Sequence, residues 1–273
     1  MKFKYLIIVF SVLIVFIIIA VTLLPVMLAG PESTVNLRLL TLPLLIFMVL
    51  LLVGMGIFFF YNYRLLSLLE REDWPALAYY LEQKVFVKGS YSNRNVRLLA
   101  SSYLVISDYN SVLKLESKAM LTKPAVVGKN LLIFGSARVL SSKHAEAAAF
   151  FSSHLENEKF SVKEKNWTRW YYGFSLLLSG AFKLAQPEFS SLAVSSNDAV
   201  LTGLSSYFLS NSIAKHSQNP EECLAAADSG RARVIKAVKN KEGWKKETAK
   251  MGSEIHVAII KKYIEETTQW LFN

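Results

Sequence analysis

The stretch SDYNSVLKLESKAM, residues 107–120, places an acidic and an aromatic residue before a helix-like spacing of apolar residues. Two related stretches occur in the chain. EDWPALAYYLEQKV begins at Glu72 and SKHAEAAAFFSSHL begins at Ser142, so the three follow one another at a constant step of 35 residues. A repeat length between about 20 and 50 residues is typical of solenoid proteins. Since one such unit cannot bury its apolar face alone, the repetition predicts stacked helical units that share a core.

The composition points to a membrane segment. The chain has 273 residues, of which 52% are hydrophobic, and its mean hydropathy is +0.31. The apolar surplus lies at the N-terminus, where no charged residue occurs from Tyr5 to Ala29 or from Leu39 to Phe60. Each run is as long as the roughly 20 apolar residues that a helix needs to cross a bilayer. The short loop GPESTVNLR joins them, so residues 1–62 predict a two-span transmembrane hairpin.

A cleaved signal peptide is the alternative interpretation of the first apolar run. Lys2 and Lys4 would form its basic region, but MLA before Gly30 is a poor cleavage site. The run is also longer than the about 7–15 residues usual for a signal peptide. Both interpretations leave the C-terminal part of the chain on the inner side of the membrane.

The flanking charges predict the same orientation. Lys2 and Lys4 precede the first span, and Arg64 and Arg71 follow the second. An excess of bases beside the cytoplasmic ends of spans is the rule for membrane proteins. We therefore expect an integral inner-membrane protein with its C-terminal domain in the cytoplasm.

The rest of the chain reads as helix. Proline and glycine are sparse and fall between apolar-periodic segments, and no segment shows the alternation of a strand. The single cysteine, Cys223, excludes an internal disulfide. The net charge of +10 suits anionic lipid, nucleic acid or an acidic partner. The fold class predicted is all-α, with a helical solenoid after the hairpin.

The middle repeat unit resembles the tetratricopeptide repeat. That family places bulky and small residues at fixed points so that two helices pack closely, and the matching residues here are Val96, Leu99, Ala100, Tyr103, Val112, Ala119 and Pro124. Glu116 departs from the pattern, because a large aromatic residue is expected there. The third unit keeps Leu131, Phe134, Gly135, Ala147 and Phe151 but departs at Arg138, His154 and Lys159. The first unit's leading helix would begin near Tyr61, which joins it to the second span.

The resemblance implies a domain organisation. Residues 63–165 are expected to form tetratricopeptide-like repeats, and residues 166–273 to form degenerate helical repeats that end in a capping helix. In this family the first helix of each pair lines a concave groove that takes peptides. The groove positions carry over to Arg94, Arg97, Ser101 and Leu104 in the middle unit, and to Lys129, Leu132, Ser136 and Val139 in the next. Three bases on one wall would suit an acidic segment or a C-terminal carboxylate. The alternative is that these are ordinary solvated helix residues.

A second basic feature is the run RARVIKAVKNKEGWKKETAK, residues 231–250, which has eight bases and two acids. It is interpreted as a solvated face of the solenoid, as a surface for anionic lipid or an acidic protein, or as a surface for nucleic acid. No known nucleic-acid motif favours the last interpretation.

No pattern of residues predicts catalysis. The four histidines are scattered without a partner at helical spacing, and one cysteine cannot build a zinc site. Gly128 and Lys129 lack the other residues of a phosphate-binding loop. Ser111 and Lys114 match a Ser-x-x-Lys nucleophile pattern, but such four-residue matches arise by chance and both lie on a repeat helix. We therefore expect no enzyme, no cofactor and no metal.

These features together predict a membrane-anchored adaptor or scaffold that binds protein partners through a concave groove and a basic face. The alternative is a structural subunit of a larger membrane machine, such as a secretion apparatus or a flagellar-motor collar. That alternative would place the solenoid outside the cytoplasm in some systems, against the charge bias.

Overall fold

The computed structural model describes residues 8–20, 34–252 and 255–273, and within them it is all-α with no strand. The contacts divide the chain into two compact units, Met1–Tyr80 and Leu81–Asn273. The predicted boundaries after residues 62 and 165 stay predictions. The absence of strands in the described ranges agrees with the all-α class predicted from the sequence.

The first unit contains the apolar helices. Helix α1 is Ile8–Ala20 and helix α2 is Thr34–Glu70. The segment Ile46–Glu70 is long and apolar enough to cross a membrane, and the large apolar side chains of its first part, such as Phe47, Leu50 and Phe60, are exposed. It is the one such helix in the described ranges, where the sequence predicts two spans. The predicted loop between the spans is residues 30–38; residues 30–33 and the end of the first run lie outside the described residues, whereas residues 34–38 are the start of helix α2 instead of loop.

Helix α2 continues well past the apolar run. It reaches Glu70 without interruption, so the second predicted span and the leading helix of the first repeat are one helix. Pro43 lies inside it, which membrane helices tolerate because neighbouring groups satisfy the freed carbonyl. The expectation that the span runs directly into the repeat is confirmed. Helix α3, Trp74–Glu82, follows and ends in a π-helical turn, Gln83–Val87.

The three related stretches begin in the same kind of turn. Their first residues all have left-handed backbone conformation: Glu72 (φ 53°), Ser107 (φ 60°) and Ser142 (φ 59°). In each case the next amide bonds a carbonyl five residues back, which ends the preceding helix: Asp73 to Leu68 (3.2 Å), Asp108 to Tyr103 (2.8 Å) and Lys143 to Arg138 (2.9 Å). This shared helix–turn–helix corner is the physical origin of the repeat in the sequence.

The acidic residue of the stretch caps the helix that follows. Asp108 Oδ1 accepts a hydrogen bond from the amide of Ser111 at 3.1 Å, and Asp73 Oδ1 accepts one from the amide of Ala76 at 3.1 Å. Such caps satisfy amide groups that the first turn of a helix leaves without partners. Lys143 stands at this position in the third stretch and has no side-chain cap.

The second unit consists of helix pairs followed by a final helix. Its helices are α4 (Asn93–Val105), α5 (Tyr109–Thr122), α6 (Pro124–Lys129), α7 (Leu131–Leu140), α8 (His144–Ser152), α9 (Val162–Leu178), α10 (Phe182–Ser195), α11 (Ala199–Phe208), α12 (Pro220–Val238), α13 (Lys241–Ala249) and α14 (Ile255–Phe272). The helices α4, α7, α9 and α11 lead the pairs, and each contacts the next leading helix. The helices α5, α8, α10 and α12 trail and pack on their partners.

Two residues that depart from the tetratricopeptide pattern contact each other. Arg138 of α7 donates to both carboxylate oxygens of Glu116 of α5, at 2.6 and 3.0 Å, and its guanidinium also lies 4.2 Å from the centre of the Phe150 ring. Glu116 is 8% exposed, so its charge needs this partner. A buried ion pair between consecutive units therefore occupies positions where the family pattern has aromatic residues.

The final helix folds back onto the leading helices. Helix α14 packs against α7, α11 and α13, and its Tyr263 ring lies 5.3 Å from that of Phe174 and 5.1 Å from that of Phe208. Tyr207 donates to Glu266 at 2.9 Å; burial, together with this carboxylate, raises the pKa of Tyr207 to about 12. The helix thus covers part of the face that the leading helices would otherwise leave open.

Candidate functional site: a basic pocket among the leading helices

A pocket of about 300 Å³ opens where several helices of the second unit begin. Helix α4 contributes Arg97, the break between α6 and α7 contributes residues 128–133, and the start of α9 contributes Lys163, Glu164, Trp167 and Thr168. The remaining lining residues are Phe160, Asp198, Lys250 and Met251. The pocket volume is at the lower end of the range of about 300–1,000 Å³ typical of ligand sites.

The break at Asn130 shapes one wall of the pocket. Asn130 is 3% exposed, and its Nδ2 donates to the carbonyl of Val126 at 2.8 Å and to Oδ1 of Asn93 at 2.7 Å. These bonds hold the chain in a non-helical conformation at Asn130 (φ −120°), which separates α6 from α7. Oδ1 of Asn130 is buried without a hydrogen-bond partner, so an acceptor remains unsatisfied in the pocket wall.

Four basic side chains line the pocket: Arg97, Lys129, Lys163 and Lys250. Lys129 and Lys163 are exposed, and Lys250 lies 2.6 Å from Glu247. The positive ends of the dipoles of α7, α9 and α11 add to this charge, because each of these helices starts at the pocket. The pocket therefore has a positive potential that favours an anionic ligand.

The two acidic lining residues are bound to helix caps. Glu164 accepts from the hydroxyl of Ser161 at 2.7 Å and from its amide at 2.8 Å, and these bonds lower the pKa of Glu164. Asp198 Oδ1 accepts from the amides of Val200 (2.9 Å) and Leu201 (3.3 Å). Since both carboxylates are held by the starts of α9 and α11, they leave Lys129 and Lys163 available to a ligand.

Apolar side chains complete the walls. Leu132, Phe160, Trp167 and Met251 line the pocket beside the bases. A ligand with a charged group and an apolar portion would match this mixture. In the part of the chain that the structure describes, no three His, Cys, Asp or Glu side chains come together as a metal-binding group.

The structure brings together only some of the residues expected in the groove. Arg97, Lys129 and Leu132 line the pocket, whereas Arg94 is exposed on α4 outside it and Ser101 is half-buried. Ser136, expected on the open wall, is fully buried instead, as are Leu104 and Val139. On α7 the packing of α14 contributes to this burial, and the pocket opens at the starts of the leading helices.

Several lining residues were not identified from the sequence. Lys163 belongs to the start of α9, which a capping box marks: Ser161 and Glu164 are three residues apart, the usual helix-start signal. Lys250 and Met251 come from the segment after α13, and no local pattern connects them with residues near 130. Asn130 shows no signal either, because its role depends on the contact with Asn93.

The fold and the pocket define an all-helical protein with one candidate membrane span in its described part and a basic pocket in its second unit. The chain belongs to the family described as "Uncharacterised Treponema protein", whose profile matches residues 111–273. The matched range contains Lys129, Lys163 and Lys250, and Arg97 precedes it.

A curated relative extends the similarity toward the N-terminus. The chain is 26% identical over 235 residues to an "Uncharacterized protein" of Treponema pallidum (strain Nichols), covering 84% of this chain and 74% of that protein. No solved structure matches the chain.

Proposed function

We propose that the protein is a membrane-anchored helical-repeat adaptor that captures an acidic segment of a partner protein in the basic pocket. The observation that carries the proposal is the pocket itself, where four bases converge while both lining acids are held in helix caps. Charge-assisted hydrogen bonds from lysine and arginine to carboxylates are about twice as strong as neutral ones. Such bonds from the four bases would hold the carboxylates of an acidic segment.

We infer that the helix pairs are tetratricopeptide-like. The repeated corner at Glu72, Ser107 and Ser142 supports this, as does the close approach of Gly135 to the ring of Phe151 at matching family positions. The Glu116–Arg138 pair accounts for the two central departures from the pattern, because each replaces an aromatic residue with a charge that the other neutralises. Proteins of this architecture bind partner segments on the face of their leading helices.

The anchor in this proposal is the predicted two-span hairpin, with the second unit in the cytoplasm. The candidate span Ile46–Glu70 supports one crossing, and α1 is apolar along its described length. Lys2 and Lys4 precede the first predicted span, and Arg64 and Arg71 follow the second. These bases favour a cytoplasmic location for both ends of the hairpin.

Peptide binding to the full-length protein tests the pocket. Fluorescence anisotropy of a glutamate-rich peptide is measured with protein in neutral-lipid nanodiscs, for the wild type and for Lys129→Glu with Lys163→Glu. We expect the double variant to bind at least about tenfold more weakly, since two attractive charges become repulsive. The matched control is Lys114→Glu with Lys183→Glu, which reverses two exposed lysines outside the pocket.

Equal binding by the pocket variant and the wild type would contradict the proposal, and so would equal weakening in the control. A lysine-rich peptide of the same length should not bind. The location is tested separately with Ala249→Cys in a Cys223→Ala background, because Ala249 is exposed whereas Cys223 is buried. An impermeant maleimide should label this cysteine only after the inner membrane is permeabilised.

A further inference from the structure

The arginines and lysines of residues 231–250 have different roles. Arg233 donates to the carbonyls of Ala193, Val194 and Ser196, where α10 ends. Arg231 donates to the carbonyl of Leu271 at 3.1 Å, near the end of α14. The planar guanidinium suits such multiple contacts with helix ends. Both arginines of the run are half-buried, and their guanidinium groups bind the ends of neighbouring helices.

The lysines of the run remain on the outside. All six are exposed, and the five without an ion pair to Glu247 form what we call the lysine face: Lys236, Lys239, Lys241, Lys245 and Lys246. Of the two acids in the run, Glu247 is paired with Lys250, and Glu242 alone is exposed among the five lysines. The lysine face therefore keeps a clear excess of positive charge.

The lysine face is built on a fixed corner between α12 and α13. Lys239 has left-handed backbone (φ 67°), and Asn240 Oδ1 caps α13 by accepting from the amide of Gly243 at 2.9 Å. A methyl group added at Gly243 would overlap the carbonyl of Val238, so the corner is closely packed. Trp244 is buried and donates to Thr268 at 2.8 Å, which ties α13 to α14.

We propose that the lysine face binds the anionic lipid surface of the membrane in which the protein is anchored. A protein partner fits this face less well, because protein interfaces are enriched in aromatic residues and arginine and depleted in lysine. Here the aromatic residue and the arginines point inward, and residues 231–250 expose no large hydrophobic side chain. An anionic bilayer requires only charge density, which the lysines provide.

The membrane anchor makes a modest attraction sufficient. A tethered domain meets the bilayer at a high effective concentration, so several lysines can hold it there without a deep binding site. Screening limits such attraction to about 8 Å at physiological salt, so it should be strongly salt-dependent. None of the five residues of the lysine face lines the basic pocket, and the inference does not depend on the capture of a protein segment.

Energy transfer between the protein and the lipid surface tests the proposal. A donor dye is placed at Ala237→Cys, an exposed position beside the lysines, in the full-length Cys223→Ala protein. The acceptor is a headgroup-labelled lipid in nanodiscs of phosphatidylcholine alone or of equal parts phosphatidylcholine and phosphatidylglycerol. We expect higher transfer efficiency in the anionic discs and a return to the neutral-disc value when salt is added.

Two variant sets decide whether the lysine face is responsible. Lys236→Glu with Lys239→Glu and Lys245→Glu should abolish the difference between anionic and neutral discs, and the Lys→Gln versions should reduce it. The control reverses Lys114, Lys183 and Lys215, which are exposed elsewhere and change the net charge equally.

Equal transfer in both disc types would overturn the proposal, and so would equal loss in the control. Binding of the glutamate-rich peptide at the pocket is measured on the same samples. Retained peptide binding by the lysine-face variant, together with lost lipid dependence, would separate this inference from the proposed adaptor function.

Discussion

The front region of the second unit, α4 to α8, and its back region, α9 to α14, are stabilised in different ways. The front region keeps the step of 35 residues and joins its helices through polar contacts. Among these are the Glu116–Arg138 pair and the Asn93–Asn130 bond. The back region loses the regular step but buries a large aromatic cluster around Trp170.

The difference shows what a regular repeat requires. Directional contacts need a defined geometry, and in the front region the Glu116–Arg138 pair joins two units that keep the constant step. The back region also has such contacts, for example Arg169 to Glu188 at 3.3 Å. Ring contacts tolerate varied geometry. The Trp170 ring stacks on that of Phe174, with 5.0 Å between the ring centres, and it is tilted relative to that of Phe208, with 5.9 Å between the centres. The back region can therefore change the spacing of its units while it keeps a continuous core.

The comparison predicts the largest loss of stability in the back region. Replacing Trp170 with alanine should lower the free energy of unfolding by about 3–5 kcal/mol, because it removes a fully buried ring and leaves a cavity. Urea unfolding of the full-length protein in detergent, followed by circular dichroism, measures this. Leu184→Ala, at an exposed position of α10, is the control and should change stability by less than about 0.5 kcal/mol. A similar loss of stability in both variants would show that the aromatic cluster is not the main source of the stability of the back region.

The second prediction concerns the ion pair of the front region. Arg138→Met leaves the carboxylate of Glu116 buried without its partner, and should cost about 2–4 kcal/mol. Adding Glu116→Leu should recover most of the lost stability, because two apolar groups can replace a buried ion pair. A double-mutant cycle from chemical unfolding gives the coupling energy. Additive losses in the double variant would mean that the two residues act independently.

The sequence predicted the fold best where the structure repeats itself. The helix–turn–helix corner recurs at Glu72, Ser107 and Ser142 because the same turn and helix contacts recur. The segment that leads the third unit is divided at Asn130 into α6 and α7. That break depends on a bond to Asn93, which is distant in the sequence, so no local pattern could reveal it.

The candidate site was predicted in part for the same reason. Arg97 of α4 and Leu132 of α7 are 35 residues apart on successive leading helices, so the repeat alone places them near each other, and Lys129 lies at the end of α6 just before α7. Lys250 joins them only because α13 and α14 return to the leading helices. The same return of α14 removes Ser136 from the accessible surface. Contacts made by the chain folding back on itself carry no periodic signal.

A third prediction tests how tightly the helices of the front region approach each other. A methyl group at Gly135 would overlap the ring of Phe151, so Gly135→Ala should cost about 1–3 kcal/mol through overpacking. Gly128→Ala is the matched control in α6, where the added carbon meets only the Phe160 ring at 3.8 Å. There the better helix propensity of alanine should leave stability unchanged or raise it by up to about 1 kcal/mol. Thermal unfolding of both variants measures the difference.

The smallest expected effect on the free energy of unfolding is at the boundary between the two regions, where the capping box begins α9. The hydrogen bonds from Ser161 lower the pKa of Glu164 below that of an ordinary glutamate. A carboxylate with a lowered folded-state pKa stabilises the fold above its unfolded pKa, and this contribution is lost as pH falls through the folded value. Ser161→Ala should therefore cost about 1 kcal/mol near neutral pH and less in acid.

Urea unfolding measures this change for the wild type and for Ser161→Ala. It is carried out at neutral pH and at pH values below the pKa of glutamate in the unfolded chain. The control is Ser195→Ala, whose exposed hydroxyl donates to the carbonyl of Ser191 and contacts no carboxylate. Its effect should be small and independent of pH. If Ser161→Ala loses the same stability at every pH, the cap stabilises α9 without the charge of Glu164, and α9 then begins by local geometry alone. If the difference shrinks in acid, the boundary of the aromatic region is fixed by a charged contact of the kind that stabilises the front region.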